Sequence, residues 1–337
     1  MIIEYGPIRN LQQFFPYNNS LYVFCCLPVA IKFFYSPLVL NWLYKGEDKE
    51  ALVLVMWFDL NEGKTWWHSL AKYFLTLGPI PQHIAFIMDG NRRYARKQRC
   101  SSFTEGHRKG FDKLTKVMQW CREFGVKEVT VYALSLENFK RSATEIDDLD
   151  KLIENGIRIQ FFGNLEHLPL KLRRQIAKIE LLTREQNCGT VNVCIAYTAQ
   201  DELKRAFVII AHGIQKGLLS TTDINECLIS RCLDSRFSHD PDLLIRTSGE
   251  ARLSDFLLWQ CSKCHIHFDE VLWPDFDYWN LCKAIYFYQQ SQISLKRLNE
   301  NCLEEQKSTE KKNVLEFLRW ADEERLENLR QMSEAMC

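Results

Sequence analysis

The sequence predicts an α/β fold: an open, mostly parallel six-stranded sheet covered by helices, with a hydrophobic N-terminal extension and a charged helical tail. Three observations lead there. From Pro81 onward, short apolar runs alternate with stretches of helical periodicity, the pattern of strands joined by crossover helices. Most of the runs are continuously apolar, as strands covered on both faces require. The 337 residues include only nine prolines and fourteen glycines, so no long flexible linker divides the region after residue 80.

The division along the chain is a hydrophobic extension over 1–62, a main domain over 63–295 and a charged helical tail over 296–337. Within the extension, Leu21 to Tyr44 is apolar apart from Lys32, Ser36 and Asn41, long enough to span a bilayer, although Lys32, Pro28 and Pro37 weaken a single helix. A membrane anchor or interfacial segment, an unstructured extension and additional core are all open for it. No basic n-region or small-residue cleavage site marks a removable signal peptide. Trp67, Leu70, Phe74 and Leu77 then recur at helical spacing over Trp66 to Leu77, and Gly78-Pro79 stops the helix. Its aromatic stripe is expected either on the core or on a membrane surface.

Six strands are predicted at His83–Met88, Glu128–Ser135, Ile157–Phe162, Val191–Tyr197, Asp242–Arg246 and His265–Phe268. Leu114, Val117, Met118 and Cys121 form the apolar stripe of a helix ending at Gly125, and Leu203, Phe207, Ile210 and Ile214 form another. After Trp279 the chain reads as helical and then as a solvated charged tail.

Composition bounds the function. With 46% apolar and 12% aromatic residues there is ample material for a core, and a formal net charge of zero argues against a surface that coats nucleic acid. Thirteen cysteines, an odd and scattered set, favour reduced thiols in a cytosol-facing protein. Cys261-x-x-Cys264 followed by His265 and His267 has zinc-ligand character, but no second cysteine pair stands at a suitable spacing.

Three polar clusters follow predicted strands. The first is Asp89-Gly90-Asn91-Arg92-Arg93, the turn after His83–Met88 and the start of a helix at Tyr94–Gln98. In open α/β sheets ligands collect at this edge, where helix amino termini offer free N–H groups to anions. A carboxylate there suits a diphosphate that carries Mg²⁺, which takes one or two carboxylates plus substrate phosphates. The plain alternative is a turn with a surface ion pair between Asp89 and Arg93. The second cluster, Ser135-Leu-Glu-Asn138-Phe-Lys-Arg141, offers an amide, a carboxylate and a guanidinium, or simply a capped helix start. The third, Arg246-Thr-Ser-Gly-Glu-Ala-Arg252-Leu-Ser254, matches diphosphate oxygens because guanidinium forks bind phosphate bidentately.

These three motifs, with Val271-Leu-Trp-Pro-Asp275, resemble those of the cis-prenyltransferases over roughly residues 80 to 295. Arg92, together with the tail, is similar to the eukaryotic dehydrodolichyl diphosphate synthase branch of that family. The resemblance implies that farnesyl diphosphate is elongated by successive cis additions of isopentenyl diphosphate, with the growing chain in a hydrophobic tunnel under the sheet. It implies Mg²⁺ on Asp89, and Gly90, Asn91, Arg92, Arg93, His107 and Ser135 around the diphosphates. Arg246, Arg252 and Ser254 would hold isopentenyl diphosphate, and Asn138 with Arg141 would orient it for loss of its proton.

Four positions depart from the family pattern. Phe103 stands where the family usually has arginine, which removes a phosphate donor. The interval from Arg141 to Gly163 lacks most of a helix that walls the tunnel, His265 replaces a metal-shell glutamate of homodimeric enzymes, and the C-terminus lacks their Arg-x-Gly. The last two imply a heteromer in which a Nogo-B-receptor-like accessory subunit supplies the missing motif and the anchor. The expected location is the cytosolic face of the endoplasmic reticulum membrane. A non-catalytic partner or scaffold with the same fold is the alternative. An unrelated phosphotransferase is a more remote one, since Asn91 stands where its second aspartate belongs.

Overall fold

The computed structural model describes residues 66–99, 103–132, 156–303 and 311–334. The expectations for the hydrophobic extension and for Ser135, Asn138 and Arg141 lie outside those residues. The chain divides into two units, Met1–Ser69 and Leu70–Cys337, and the second contains the sheet.

That sheet has six strands, β1 (His83–Ile87), β2 (Glu128–Tyr132), β3 (Ile157–Phe162), β4 (Gly189–Cys194), β5 (Leu243–Arg246) and β6 (His265–Phe268). All five pairings are parallel, in the order β3-β4-β2-β1-β5-β6. β1 and β2 are buried at every position and β5 along its whole length, as strands covered on both faces are, and β2 buries Glu128 and Thr130 among its apolar residues. The helices are α1 (Trp66–Thr76), α2 (Asn91–Lys97), α3 (Phe103–Phe124), α4 (Leu170–Thr183), α5 (Ala199–Gln215), α6 (Glu226–Cys232), α7 (Tyr278–Leu303) and α8 (Lys312–Glu334). α4 packs on β3, α7 packs on β5 and β6, and α5 packs on α6. Phe124 of α3 stacks on Tyr278 of α7 at 5.6 Å.

The order of strands creates the site. The chain leaves β1 toward β2 and returns to β1's other side as β5, so the boundary between β1 and β5 is a topological switch point, where the crossovers diverge and a crevice opens. Ile87 stands opposite Arg246 in the register, which brings Asp89, two residues further on, against the end of β5.

Two expectations need correction. The tail is not simply solvated: α8 packs against α4 and α6 and buries Phe317, Leu318 and Ala321. Phe317 lies so close to Gly213 of α5 that a Cβ there would sit 2.4 Å from its ring. Apolar residues three and four apart were hidden among the charges of this stretch. On α5, Ile210 is buried as expected, but Phe207 is 49% exposed, because the core face of the helix is set by Ala206 and Ile210. On α1, for which core and membrane surface both stood open, Phe74 is exposed, as is Leu77 just past its end, and Leu75 is the buried residue. Gln289 takes the Leu75 carbonyl at 2.7 Å and so fixes the orientation of that last turn.

At the amino end of the sheet a buried polar chain specifies one histidine tautomer. His83 Nδ1 lies 2.6 Å from the His239 carbonyl, which can only accept, so Nδ1 carries the proton. Nε2 then accepts from the Thr130 hydroxyl at 2.7 Å, whose oxygen accepts from Asn192 at 2.9 Å. Burial, the leading cause, holds this imidazole below its ordinary 6.5, opposed by the Glu128 carboxylate. A histidine whose folded pKa is depressed stabilises the fold above the unfolded value, and that contribution is lost as the pH falls below about 6.5. Ring ¹⁵N spectra are expected to show His83 as the neutral Nδ1–H tautomer at pH 6.5; a half-protonated ring at that pH would contradict the network.

Candidate active site

The turn after β1 is bolted to its surroundings by main-chain contacts. The Asp89 carbonyl accepts from the Thr247 hydroxyl at 2.8 Å and from the Trp273 N–H at 3.0 Å. Gly90 follows at φ 104°, a left-handed conformation that favours glycine, and starts α2 from there. A Cβ on it would lie 2.9 Å from Leu272 Cδ2 and 3.2 Å from Leu272 Cα. Behind the turn, α3 comes close enough that a Cβ on Gly106 would be 2.4 Å from the Asn91 carbonyl, and one on Gly110 would be 2.3 Å from Asn91 Oδ1. His107, half-buried between those glycines, is thereby placed beside the start of α2.

The side chains form a ring of alternating charge. Asp89 Oδ1 accepts from the Gly90 N–H at 2.6 Å, and Oδ2 accepts from Arg246 Nη2 at 3.1 Å. Arg93 Nη2 is 3.8 Å from the same Oδ2 and 3.1 Å from Glu250 Oε1, while Glu250 Oε2 pairs with Arg252. Arg246 closes the ring by donating to the Arg252 carbonyl, and to Ser254 Oγ at 2.8 Å. Arg93 also donates to the Ser248 carbonyl at 3.0 Å and to its hydroxyl at 2.5 Å. The ion pair between Asp89 and Arg93 therefore exists, but as one edge of a larger construction rather than an isolated surface pair.

The loop that carries the third motif is held in strained backbone. Ser248, Gly249, Ser254, Asp255 and Leu257 all have positive φ. Non-glycine residues in that region persist where the surroundings over-determine them, which is commonest at ligand sites. Here the Ser248 N–H donates to the Val271 carbonyl and the Gly249 N–H to the Asp269 carbonyl, both at 2.8 Å.

Of the residues expected at the site, Asp89, Gly90, Asn91, Arg93, Arg246, Arg252 and Ser254 are brought together. Arg92 is exposed on α2 outside the ring. Arg246 differs from its expected part as a free phosphate fork: it is 3% exposed, with Nη1 and Nη2 committed to Asp89, Ser254 and the Arg252 carbonyl. Sequence reasoning missed Glu250 and Ser248 as partners of Arg93, and Thr247 as the anchor of the turn. All three lie inside the third motif, but nothing in their spacing shows that they face the turn after β1 and the helix that follows it.

The fit to a divalent ion follows from the donor set. Asp89 is the ring's only carboxylate at the turn, and among the described residues no three His, Cys, Asp or Glu side chains are grouped to hold a metal. A site with one protein carboxylate suits an ion that arrives with substrate phosphates and keeps its waters, not one that the protein cages by itself. Cys261 and Cys264 share a thiol hydrogen bond, and His267 stacks on Phe287 at 5.6 Å.

Comparison with known proteins decides the family. The model for putative undecaprenyl diphosphate synthases matches residues 87–296, which run from the last residue of β1 through the ring and β6. The chain belongs to the cis-prenyltransferase family. This cis-prenyltransferase is 44% identical over 256 residues to the dehydrodolichyl diphosphate synthase complex subunits of Mus musculus and Homo sapiens, covering 72% of its own length and 77% of each relative. It is 39% identical to the tritrans,polycis-undecaprenyl-diphosphate synthase (geranylgeranyl-diphosphate specific) of Thermoplasma acidophilum, over 64% of this chain and 88% of that one. Among solved structures, lavandulyl diphosphate synthase from Lavandula x intermedia, in complex with dimethylallyl diphosphate, is 31% identical. It superposes with a TM-score of 0.56 over 62% of this chain and 95% of that chain. The enzyme is thus a prenyltransferase with the open parallel sheet of its family, and its family uses a divalent metal.

Proposed function

We propose that this cis-prenyltransferase elongates farnesyl diphosphate by successive cis additions of isopentenyl diphosphate, giving a dehydrodolichyl diphosphate for dolichol synthesis and protein glycosylation. The observation that carries the reading is the meeting of Asp89 and Arg246, at 3.1 Å, on the switch point of the sheet. The 44% identity to mammalian dehydrodolichyl diphosphate synthase subunits supports the choice of product class.

Asp89 would hold Mg²⁺, which when bound supplies charge stabilisation for the departing diphosphate. Arg93 stands beside Asp89 with its guanidinium half-exposed, placed to take the phosphates of the allylic substrate. Gly90, whose own N–H is taken by Asp89, turns the chain so that the Asn91 amide, with His107 and Arg92, completes that subsite. Arg252 and Ser254 offer the subsite for isopentenyl diphosphate. Arg246, buried beneath them, holds Asp89 and Ser254 in one frame, so that the two diphosphates are oriented before they react. Ser135, Asn138 and Arg141 are assigned to the same edge from their motif, with Asn138 and Arg141 orienting isopentenyl diphosphate for proton loss.

Relatives from mouse, human and Schizosaccharomyces pombe are named as complex subunits. For this chain we propose an accessory subunit resembling the Nogo-B receptor, and residence on the cytosolic face of the endoplasmic reticulum membrane. No described helix is long and apolar enough to cross a membrane. The exposed Tyr73 and Phe74 of α1, with Leu77 just past its end, support contact with a membrane surface instead. Incorporation of labelled isopentenyl diphosphate into farnesyl diphosphate, followed by chromatography of the polyprenyl products, tests the activity and its product class together. The chain purified alone is expected to give much less long product than the chain purified with an accessory subunit; full processive activity without a partner would reject the heteromer.

A further inference from the structure

We infer that Glu250 is a positioning residue for prenyl transfer: its carboxylate ties Arg252 to Arg93 and so sets the spacing between the guanidiniums that serve the two diphosphates. This rests on the function proposed above, in which Arg93 faces the allylic substrate and Arg252 faces isopentenyl diphosphate. Glu250 has one oxygen on each, Oε1 at 3.1 Å from Arg93 and Oε2 on Arg252, so it joins the two guanidiniums directly, whereas Arg246 joins Asp89 to Ser254.

The two arginines depend on it unequally. Arg93 has two further hydrogen bonds, to the carbonyl and hydroxyl of Ser248, and keeps its place without Glu250. Arg252 has a side chain 61% exposed, and Glu250 is the partner of its guanidinium among the described residues. Without that contact a long, solvent-exposed side chain must be ordered by the substrate at each binding event, which weakens binding. Glu250 itself is aimed by the backbone. Ser248 and Gly249, at φ 79° and 73°, are pinned to the Val271 and Asp269 carbonyls, so the carboxylate leaves a fixed loop.

An opposing effect exists, because a carboxylate between two phosphate-binding guanidiniums also repels the incoming phosphates. The two effects predict opposite signs for Glu250→Gln, which removes the charge and keeps the shape. Positioning prevails here, since the ring's three arginines already outnumber its two carboxylates.

The test compares Glu250→Gln, Arg252→Ala and the double variant in the active preparation of full-length protein, with steady-state incorporation of labelled isopentenyl diphosphate as readout. Glu250→Gln is expected to raise KM for isopentenyl diphosphate about ten-fold and KM for the allylic diphosphate less than about three-fold, with kcat within about two-fold. The double variant should match Arg252→Ala alone, because the two side chains act through one contact. A purely structural role would instead lower kcat and thermal stability together. If Arg252→Ala leaves KM for isopentenyl diphosphate unchanged, the subsite assignment itself is wrong. If Arg252→Ala raises it but Glu250→Gln leaves it unchanged or lowers it, the subsite stands and the positioning role of Glu250 is overturned.

Discussion

Asp89→Asn is expected to lower incorporation of isopentenyl diphosphate by at least about 10³-fold while the protein remains folded. Loss of one preorganised electrostatic group at a developing charge costs on the order of 10²- to 10³-fold, and here the same substitution also removes the anionic metal ligand. Asparagine keeps an oxygen where Oδ1 accepts the Gly90 N–H, and Arg246 keeps Ser254 and the Arg252 carbonyl. The buried guanidinium therefore loses one of its partners rather than all, a stability cost of about 1–3 kcal/mol. Circular dichroism and a melting curve alongside the turnover assay separate the two effects. Turnover within ten-fold of the parent, at full Mg²⁺, would remove Asp89 from the metal role.

Gly90→Ala is expected to damage both stability and activity, for a reason that lies in the backbone. Its φ of 104° is unfavourable for any residue with a Cβ, and the added methyl would meet Leu272 at 2.9 Å and, on its main chain, at 3.2 Å. Together the strained dihedral and the overpacking come to about 2–4 kcal/mol. For a domain of this size that corresponds to a fall in Tm of roughly 5–10 °C. The side chain of Leu272 can move aside, but its backbone adjoins Trp273, whose N–H holds the Asp89 carbonyl. Relief of the clash thus displaces Asp89 from Arg246, so kcat/KM should fall by more than the lost stability explains. A variant that melts within about 2 °C of the parent and turns over normally would show that the turn tolerates a side chain.

The two variants probe features of very different legibility. Asp89 was visible because an apolar run of strand length ends in a polar turn, and Gly90 because a turn follows. That Gly90 must be left-handed and pressed against Leu272 depends on a segment some 180 residues away in the chain, which no local pattern reports. Glu250 shows the same difficulty in a sharper form. Its place in the third motif was plain, but its link to Arg93 is made between the segments that follow two strands, which the strand order alone brings side by side.

Burial patterns divide in the same way. Continuous apolar runs located β1, β2, β3 and β5 to within a few residues, since a strand covered on both faces has little choice of residue. Helical stripes were less informative where several apolar faces competed. Phe207 on α5 and Phe74 on α1 fit the expected periodicity yet face outward, because neighbouring Ile210 and Leu75 meet the core instead. The charged tail hid a buried stripe for the opposite reason: Phe317, Leu318 and Ala321 are few among many charges, and only their partners on α5 and α6 give them a reason to be apolar.

By itself the sequence determined the α/β class, the strands and the chemical character of the loops that follow them, because hydrophobic period and turn chemistry are local properties. Tertiary structure decided which of those loops meet. Placing β5 beside β1 put Arg246 on Asp89, and strained backbone then aimed Glu250 and Ser248 at Arg93. Contacts between residues more than 150 positions apart are set by how the crossovers pack on the sheet, and that is a property of the whole fold.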